Sequence, residues 1–305
     1  MAKVHKLHRK PTLNRLLAKF RPYMILFKTS LDLSKHLALQ MQKDKTIGFV
    51  PTMGALHLGH LGLIKESKKT TDVTVCSIFV NPTQFNDPKD FANYPQTLED
   101  DIYALESIGT DIVFLPNVAE IYPNGVKLTQ KIDLGYLETI LEGKYRPGHF
   151  QGVCQVVQRL LTIVKPTTLF LGQKDFQQYL VIKKLISLEG WPINIKLIQT
   201  YRESTGLALS SRNLRLSEKD KIAAIRLYQS LEWLKNELQP GNLDRIIENA
   251  SEMIKSGGFD KINYLAICNA QTLENITHWD GKTAVIGLVA AYISGIRLID
   301  NRLLN

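Results

Sequence analysis

A short segment of the sequence, PTMGALHLGH at 51–60, combines residue types that bind phosphate groups. It follows a short apolar run, and a helical pattern begins near Leu56, so the segment is predicted to turn from a strand into a helix. Gly54 permits backbone angles closed to other residues, and the free N–H groups at a helix start attract anions. His57 and His60 would lie on one face of that helix, where both imidazoles can contact one anionic group. The segment therefore predicts a phosphate-binding loop.

Metal binding and a purely structural role are the alternatives for these two histidines. Zinc-binding pairs on helices are usually spaced four residues apart and have an acidic third ligand. The segment has neither feature, so the phosphate-binding interpretation is favoured.

Three further polar clusters come where other predicted strands end: NPTQF at 81–85, GQKDFQQ at 172–178 and GLALSSRN at 206–213. Open parallel sheets bind their ligands at the carboxyl ends of the strands. We therefore expect the four clusters to converge on one edge of a sheet.

The body of the chain alternates short strand patterns with helical patterns. Strands are predicted at 46–50, 73–80, 111–115, 168–171 and 194–200. Helices are predicted at 61–69, 97–108 and 153–164. Short apolar strands joined by helices favour an α/β fold with a doubly wound parallel sheet and right-handed crossovers.

The pattern changes after residue 200, where a smaller α+β domain is predicted at 201–305. Its helices are predicted at 217–238 and 243–256, and its strands at 262–268, 284–291 and 297–300. The predicted organisation is thus a basic extension at 1–23, an α/β domain at 24–200 and the C-terminal domain.

Composition places the 305 residues among ordinary folded proteins, with 44% hydrophobic and 22% charged residues. Neither an apolar run long enough to span a membrane nor a secretory leader is found, which favours a cytoplasmic protein without membrane association. The three cysteines, Cys76, Cys154 and Cys268, are far apart and are predicted to be buried free thiols.

The formal net charge of +9 comes almost entirely from the N-terminus. Eight of the 38 basic residues precede the first acidic residue, Asp32, which leaves 30 basic against 29 acidic residues in the remainder. An extension of this kind is an organelle address, an anion-binding arm or a loosely docked tail. The near-neutral body argues against nucleic-acid binding, which needs basic and aromatic residues on the folded surface.

The four clusters, together with LEGKYRPGHF at 141–150, resemble the motifs of the pantoate–β-alanine ligase family in order and spacing. The resemblance runs from about Met24 to the C-terminus and leaves only the basic extension outside. His-x-Gly-His alone would indicate only the wider nucleotidyltransferase superfamily, whose Rossmann-like fold the resemblance implies.

The resemblance implies a two-step reaction in which pantoate and ATP form pantoyl adenylate and pyrophosphate, and β-alanine then displaces AMP. It implies that Gln84 and Gln178 bind pantoate, and that His57, His60, Lys174 and Arg212 are catalytic. The ATP-binding residues would be Met53, Gly54, Ala55, Leu56, His57, Leu58, Gly59, His60, Gly172, Gln173, Lys174, Asp175, Tyr201, Leu209, Ser210, Ser211 and Arg212.

These residue types suit attack at an α-phosphate, where fixed hydrogen-bond donors must meet developing negative charge. The alternatives are a solvated Lys174 and a Ser210–Ser211 pair that only caps a helix. Asp100 and Asp101 are candidate ligands for Mg²⁺, or alternatively the acidic start of a helix. Glu142 and Arg146 are expected to support the site without direct catalysis.

Two other functions stay open at this point: a different small-molecule adenylyltransferase, which would not need the two glutamines, and an RNA-binding module. The family resemblance implies a homodimer. A second domain that closes over the nucleotide is also expected, because acyl adenylates must be protected from water.

Overall fold

The computed structural model describes residues 23–127 and 131–305, so the predicted basic extension lies outside it except for Tyr23. The strands of the first half are β1 (Ile25–Phe27), β2 (Ile47–Thr52), β3 (Val73–Ile78), β4 (Ile112–Phe114), β5 (Thr168–Gly172) and β6 (Asn194–Ile198). The helices are α1 (Ser30–Met41), α2 (Leu58–Thr70), α3 (Pro88–Ala92), α4 (Leu98–Ser107), α5 (Val118–Ile121), α6 (Leu141–Tyr145), α7 (His149–Val164) and α8 (Phe176–Leu188). The 3₁₀ turns of the described residues lie at Pro82–Gln84, Gly135–Glu138, Gln173–Asp175 and Ser211–Arg215.

The six strands form one parallel sheet in the order β1-β4-β3-β2-β5-β6. All six residues of β3 are buried, as expected for a central strand covered by helices on both faces. The chain moves from β2 outward to β3 and β4, then returns to β5 on the other side of β2. The strand order therefore reverses between β2 and β5, which is where doubly wound sheets bind ligands.

This architecture confirms the predicted α/β fold, although the sequence analysis did not predict helices α1 and α8. Two further local differences are found. Strand β1 was not predicted, because it has only three residues, and Ile25 and Leu26 at this edge of the sheet are 41% and 40% exposed. Helix α2 begins at Leu58 rather than near Leu56, so His57 is the N-cap residue and does not lie within the first turn.

The C-terminal part contains α9 (Glu218–Glu237), β7 (Gly241–Asn242), α10 (Asp244–Ser256), β8 (Lys261–Asn269), β9 (His278–Trp279), β10 (Val285–Ile293) and β11 (Ile296–Leu303). Strands β8, β10 and β11 form an antiparallel sheet in the order β11-β10-β8. Both predicted helices and all three predicted strands are present within a few residues of their expected ends. The smaller C-terminal α+β region is thus confirmed.

The antiparallel sheet packs on both faces. Leu231 of α9 and Ile254 of α10 share a core with Val289 on one side. On the other side, Phe176 and Leu180 of α8 pack against Leu288 and its neighbours. Helix α8 therefore fixes the C-terminal sheet against the parallel sheet. The three cysteines are free and buried, as predicted.

The close approach of α7 to the turn Pro82–Gln84 gives a first prediction. A Cβ atom at Gly152 would collide with the backbone carbonyl of Thr83, and backbone cannot rotate away as a side chain can. We expect Gly152→Ala to lower the free energy of unfolding by about 1–3 kcal/mol. Urea unfolding measures this, with Thr162→Ala on the exposed side of α7 as the control, expected within about 0.5 kcal/mol of the parent. Equal stability of the two variants would contradict the predicted clash.

Candidate active site

The loop between β2 and α2 is held by one buried carboxylate. Gly54 and Ala55 both have left-handed backbone angles, with φ of 82° and 48°. Asp101, on α4, is 2% exposed and accepts hydrogen bonds from the N–H groups of Ala55 at 2.9 Å and Leu56 at 2.8 Å. The carboxylate thus fixes the turn that presents both histidines.

Backbone donors fix the protonation state of the two imidazoles. The N–H of Gly59 donates to Nδ1 of His57 at 3.2 Å, and the N–H of His57 donates to Nδ1 of His60 at 3.3 Å. Each Nδ1 is therefore an acceptor, and the ring proton of a neutral imidazole must be on Nε2. The ring centroids are 4.0 Å apart, and both histidines line the cavity described below.

Burial keeps both rings neutral at pH 7. Burial and the charge of Lys174 lower the pKa of His57 to about 4. Burial, followed by the neighbouring His57 and Lys174, lowers the pKa of His60 to about 3. The histidines therefore offer hydrogen bonds rather than positive charge.

The turn after β3 carries Gln84. Its side-chain amide lies against the sulfur of Met53 and accepts from Nδ2 of Asn81 at 3.1 Å. Its backbone carbonyl accepts from Nδ1 of His149 at 2.8 Å and from Nη2 of Arg146 at 3.3 Å. Nη1 of Arg146 lies 3.0 Å from Nε2 of His149 and donates to it, which makes His149 a neutral Nδ1–H donor. Burial and the charge of Arg146 lower the pKa of His149 to about 3, which agrees with a neutral ring.

The turn after β5 carries Lys174 and is held from the C-terminal sheet. Nδ2 of Asn301, on β11, donates to the carbonyl oxygens of Gln173 at 2.9 Å and Lys174 at 2.8 Å. The antiparallel sheet therefore contributes directly to the position of the lysine.

The segment 206–213 packs against the histidine loop and forms a further wall of the site. The hydroxyl of Ser211 donates to the carbonyl of Ala55 at 2.9 Å, which ties this segment to the histidine loop. Ser210 also caps its own 3₁₀ turn by accepting from the N–H of Arg212. Nη2 of Arg212 lies 2.7 Å from Oδ2 of Asp90, which also pairs with Arg215 at 2.9 Å. Burial raises the pKa of Asp90, but the two guanidinium groups outweigh it and lower that pKa overall.

A cavity of about 250 Å³ lies between the parallel sheet and the C-terminal sheet. It is lined by Met53, His57, Gly59, His60, Gln84, Gly172, Lys174, Asp175, Gln178, Tyr201, Leu209, Ser210, Ser211 and Arg212, all of them predicted site residues. The other predicted residues are not among those that line the cavity: Gly54, Ala55, Leu56, Leu58, Gln173, Asp100 and Asp101. Leu58 is 65% exposed, whereas Gly54 to Leu56 shape the loop behind the histidines.

The side chain of Tyr201 borders the cavity. Its ring lies against α2 at Gly62, where any larger residue would collide with it, and it is 41% exposed. The aromatic ring thus forms one wall of the cavity mouth.

A family model described as Pantoate-beta-alanine ligase matches residues 25–303. The chain belongs to this family. Among named relatives, the pantothenate synthetase of Cytophaga hutchinsonii is 44% identical over 282 residues, which cover 91% of this chain and 98% of that protein. The pantothenate synthetase of Azobacteroides pseudotrichonymphae is 41% identical over 91% of this chain and 99% of its own. As a member of this family, the protein is a ligase.

Solved structures of the family have the same fold. A pantothenate synthetase from Thermus thermophilus is 37% identical, covers 92% of this chain and 99% of its own, and superposes with a TM-score of 0.85. The pantoate-beta-alanine ligase from Francisella tularensis, described as complexed with beta-gamma ATP and beta-alanine, is 39% identical over 92% of this chain and 98% of its own, with a TM-score of 0.78.

Sequence reasoning missed several residues that hold the site together. Asn81, Asp90, His149 and Asn301 each contact a predicted site residue directly. His149 and Asn81 stood inside the quoted motifs, so their positions were a usable signal. Nothing in the local sequence around Asp90 or Asn301 indicates their partners, because these lie more than 100 residues away.

The structure gives Asp101 a role other than metal binding. Its oxygens accept from two backbone N–H groups and from the hydroxyl of Thr97 at 3.0 Å, while Asp100 is exposed. Within 23–127 and 131–305, no group of three or more His, Cys, Asp or Glu side chains is arranged to hold a metal ion. Magnesium binding by Asp100 and Asp101 stays a prediction.

Replacing the carboxylate of Asp101 or Asp100 by an amide distinguishes anchoring of the loop from binding of a metal ion. We expect Asp101→Asn to lower the free energy of unfolding in the absence of magnesium by about 1–3 kcal/mol for each N–H group left without an acceptor. Asp100→Asn is the matched control and should change stability by less than about 0.5 kcal/mol. Urea unfolding in EDTA measures both. If both variants keep parental stability but need more magnesium for activity, the metal-ligand interpretation is right and the anchoring role is wrong.

Proposed function

We propose that this protein joins pantoate to β-alanine at the expense of ATP, through a pantoyl adenylate, and releases AMP and pyrophosphate. The observation that carries the proposal is that one cavity collects phosphate-directed donors and two carboxamides. The donors are His57, His60, Lys174 and Arg212, and the amides belong to Gln84 and Gln178. The Francisella relative, described as complexed with beta-gamma ATP and beta-alanine, supports the choice of these two substrates.

In the first step, a carboxylate oxygen of pantoate attacks the α-phosphorus of ATP, and the bond to the bridging oxygen of pyrophosphate breaks. Negative charge grows on the α-phosphate and on the leaving group. The Nε2–H groups of His57 and His60 are oriented donors for the phosphate oxygens, and Lys174 supplies positive charge beside them. Gln84 and Gln178 hold pantoate without offering a competing nucleophile.

In the second step, the amine of β-alanine attacks the acyl carbon, the bond to AMP breaks, and the amine loses a proton. The protein has to orient the amine and exclude water, which would hydrolyse the adenylate. The cavity between the two sheets supports this role, because residues of β11 complete its wall.

Several finer points belong to the same proposal. We propose that Mg²⁺ enters with ATP as part of the substrate, because magnesium favours phosphate and water ligands. On the basis of the sequence and the family resemblance, we also propose a homodimer, a cytoplasmic location and a division into 24–200 and 201–305. Closure of the second domain over the nucleotide is proposed because an acyl adenylate must be protected from water. Among the helices that the structure describes, none has the length and apolar character needed to cross a membrane.

An isotope exchange experiment tests the adenylate route. If adenylation is a reversible half-reaction, labelled pyrophosphate will enter ATP when pantoate and magnesium are present and β-alanine is absent. Addition of β-alanine should then release AMP and pantothenate. Pantoate-dependent release of ADP and phosphate would instead indicate an acyl phosphate. Exchange with another carboxylic acid but not with pantoate would favour the rival adenylyltransferase.

The role of His60 is tested in the same exchange assay. His60→Ala removes one fixed donor, and we expect the adenylation rate to fall by about 10²–10³, the usual effect of losing one such group. His36→Ala, on α1 and not among the residues that line the cavity, is the control and should keep the parental rate. A near-parental rate for His60→Ala, with its fold intact by circular dichroism, would exclude the donor role.

A further inference from the structure

A buried carboxylate joins the parallel-sheet part of the molecule to the C-terminal sheet. Glu142, on α6, is 6% exposed, and its oxygens accept from Nη1 of Arg297 at 2.8 Å and Nη2 at 2.6 Å. The hydroxyl of Tyr264 donates to the same carboxylate at 2.8 Å. Arg297 lies on β11 and Tyr264 on β8, so residues of the C-terminal sheet satisfy a charge that the first half of the chain buries.

The same carboxylate also holds Arg146. Nη1 of Arg146 lies 3.4 Å from Oε2 of Glu142, and its other nitrogen reaches the backbone carbonyl of Gln84. His149, to which Arg146 donates, gives that carbonyl its second hydrogen bond. A continuous set of contacts therefore runs from the C-terminal sheet to the residue proposed to bind pantoate.

We propose that Arg297 is a positioning residue for Gln84. By occupying Glu142 with both of its terminal nitrogens, Arg297 leaves Arg146 only a long contact of 3.4 Å to that carboxylate, so that Arg146 also reaches the Gln84 carbonyl beside His149. The amide of Gln84 then faces the cavity only when the C-terminal sheet is docked on Glu142. This inference rests on the proposed function in one respect, namely that pantoate is the ligand of Gln84.

The charges around Glu142 explain why Arg297 would have this effect. Glu142 is paired with two arginines at unequal distances, so removal of Arg297 leaves a buried carboxylate whose remaining cation is Arg146. A buried charge without its main partner is strongly unfavourable, and Arg146 is expected to move toward it. That movement takes Arg146 away from the Gln84 carbonyl and from His149.

The strand β11 offers a matched control. Arg302 also forms an ion pair, with Nε 2.7 Å from Oε1 of Glu232, but Glu232 lies on α9 within the C-terminal part. Arg302→Met therefore removes an arginine from the same strand without touching the contacts to Gln84.

The test measures KM for pantoate and for ATP in Arg297→Met, Arg302→Met and Gln84→Ala. We expect Arg297→Met to raise the pantoate KM by between about 10- and 100-fold, since small misplacements of a binding group have effects of this size. The KM for ATP should change less than threefold, and Arg302→Met should resemble the parent. An equal rise in both KM values, or equal behaviour of the two arginine variants, would overturn the proposal.

Two further variants test the proposed movement of Arg146. The double variant Arg297→Met/Glu142→Gln has no buried carboxylate to draw Arg146 away from the Gln84 carbonyl, so its pantoate KM should return toward the parental value. Arg297→Lys should restore the pantoate KM only in part, because an ammonium cannot repeat the two-pronged contact. A pantoate KM that stays as high in the double variant as in Arg297→Met would reject the proposed movement of Arg146.

A spectroscopic measurement makes the result independent of pantoate. In protein with ¹⁵N-labelled histidine, the Nδ1–H of His149 reports its bond to the Gln84 carbonyl. We expect this signal to shift or broaden in Arg297→Met and to stay unchanged in Arg302→Met; an unchanged signal in both would overturn the proposal. If the parent protein turns over no pantoate, the proposed function fails and this signal alone decides the positioning role.

Discussion

The carboxylate of Asp101 is the constraint on which the candidate active site depends. The histidine loop contains a non-glycine residue, Ala55, in the left-handed region, a conformation that costs about 1–2 kcal/mol. Hydrogen bonds to a charged group contribute about 1.5–3 kcal/mol each, so the two bonds that Asp101 accepts outweigh this strain. The bend places His57 at the N-cap of α2. In this position the backbone N–H groups of Gly59 and His57 donate to the Nδ1 atoms of His57 and His60.

Two other carboxylates close the site, and their burial gives them different properties. Burial would raise the pKa of Glu142, but hydrogen bonds and charges from Arg297 and the charge of Arg146 lower it to about 2. Its side chain is 8% exposed and that of Arg297 is 15% exposed, so water has little access to this pair. Asp90 and Arg212 are each 25% exposed, and in the proposed mechanism Arg212 exchanges this carboxylate for a phosphate group. One contact is therefore buried between the sheets, and the other is partly open to the solvent.

The parts of the fold that the sequence predicted are those determined by local pattern. Apolar strands, amphipathic helices and polar clusters at strand ends can each be recognised from a short stretch of sequence. The parallel sheet then brings the polar clusters together. Strand β1 was not predicted because it is short and half exposed, and the start of α2 was misplaced because histidine is an unusual N-cap. Helices α1 and α8 were also not predicted. Asp101 with Ala55, and Glu142 with Arg297, are 46 and 155 residues apart, so no local pattern could reveal either pair.

The low pKa values of His57 and His60 limit the roles that these two side chains can have in the proposed reaction. Burial and the positive charge of Lys174 keep both rings neutral, so the cavity avoids a cluster of three adjacent cations. A bound triphosphate would reverse part of this effect, because negative charge within a few ångströms raises the pKa of an imidazole. Each ring would then become more basic only when the nucleotide is present. A second proton would have to go to Nδ1, which in each ring already accepts a backbone N–H group, so in the proposed mechanism both histidines act as neutral Nε2–H donors.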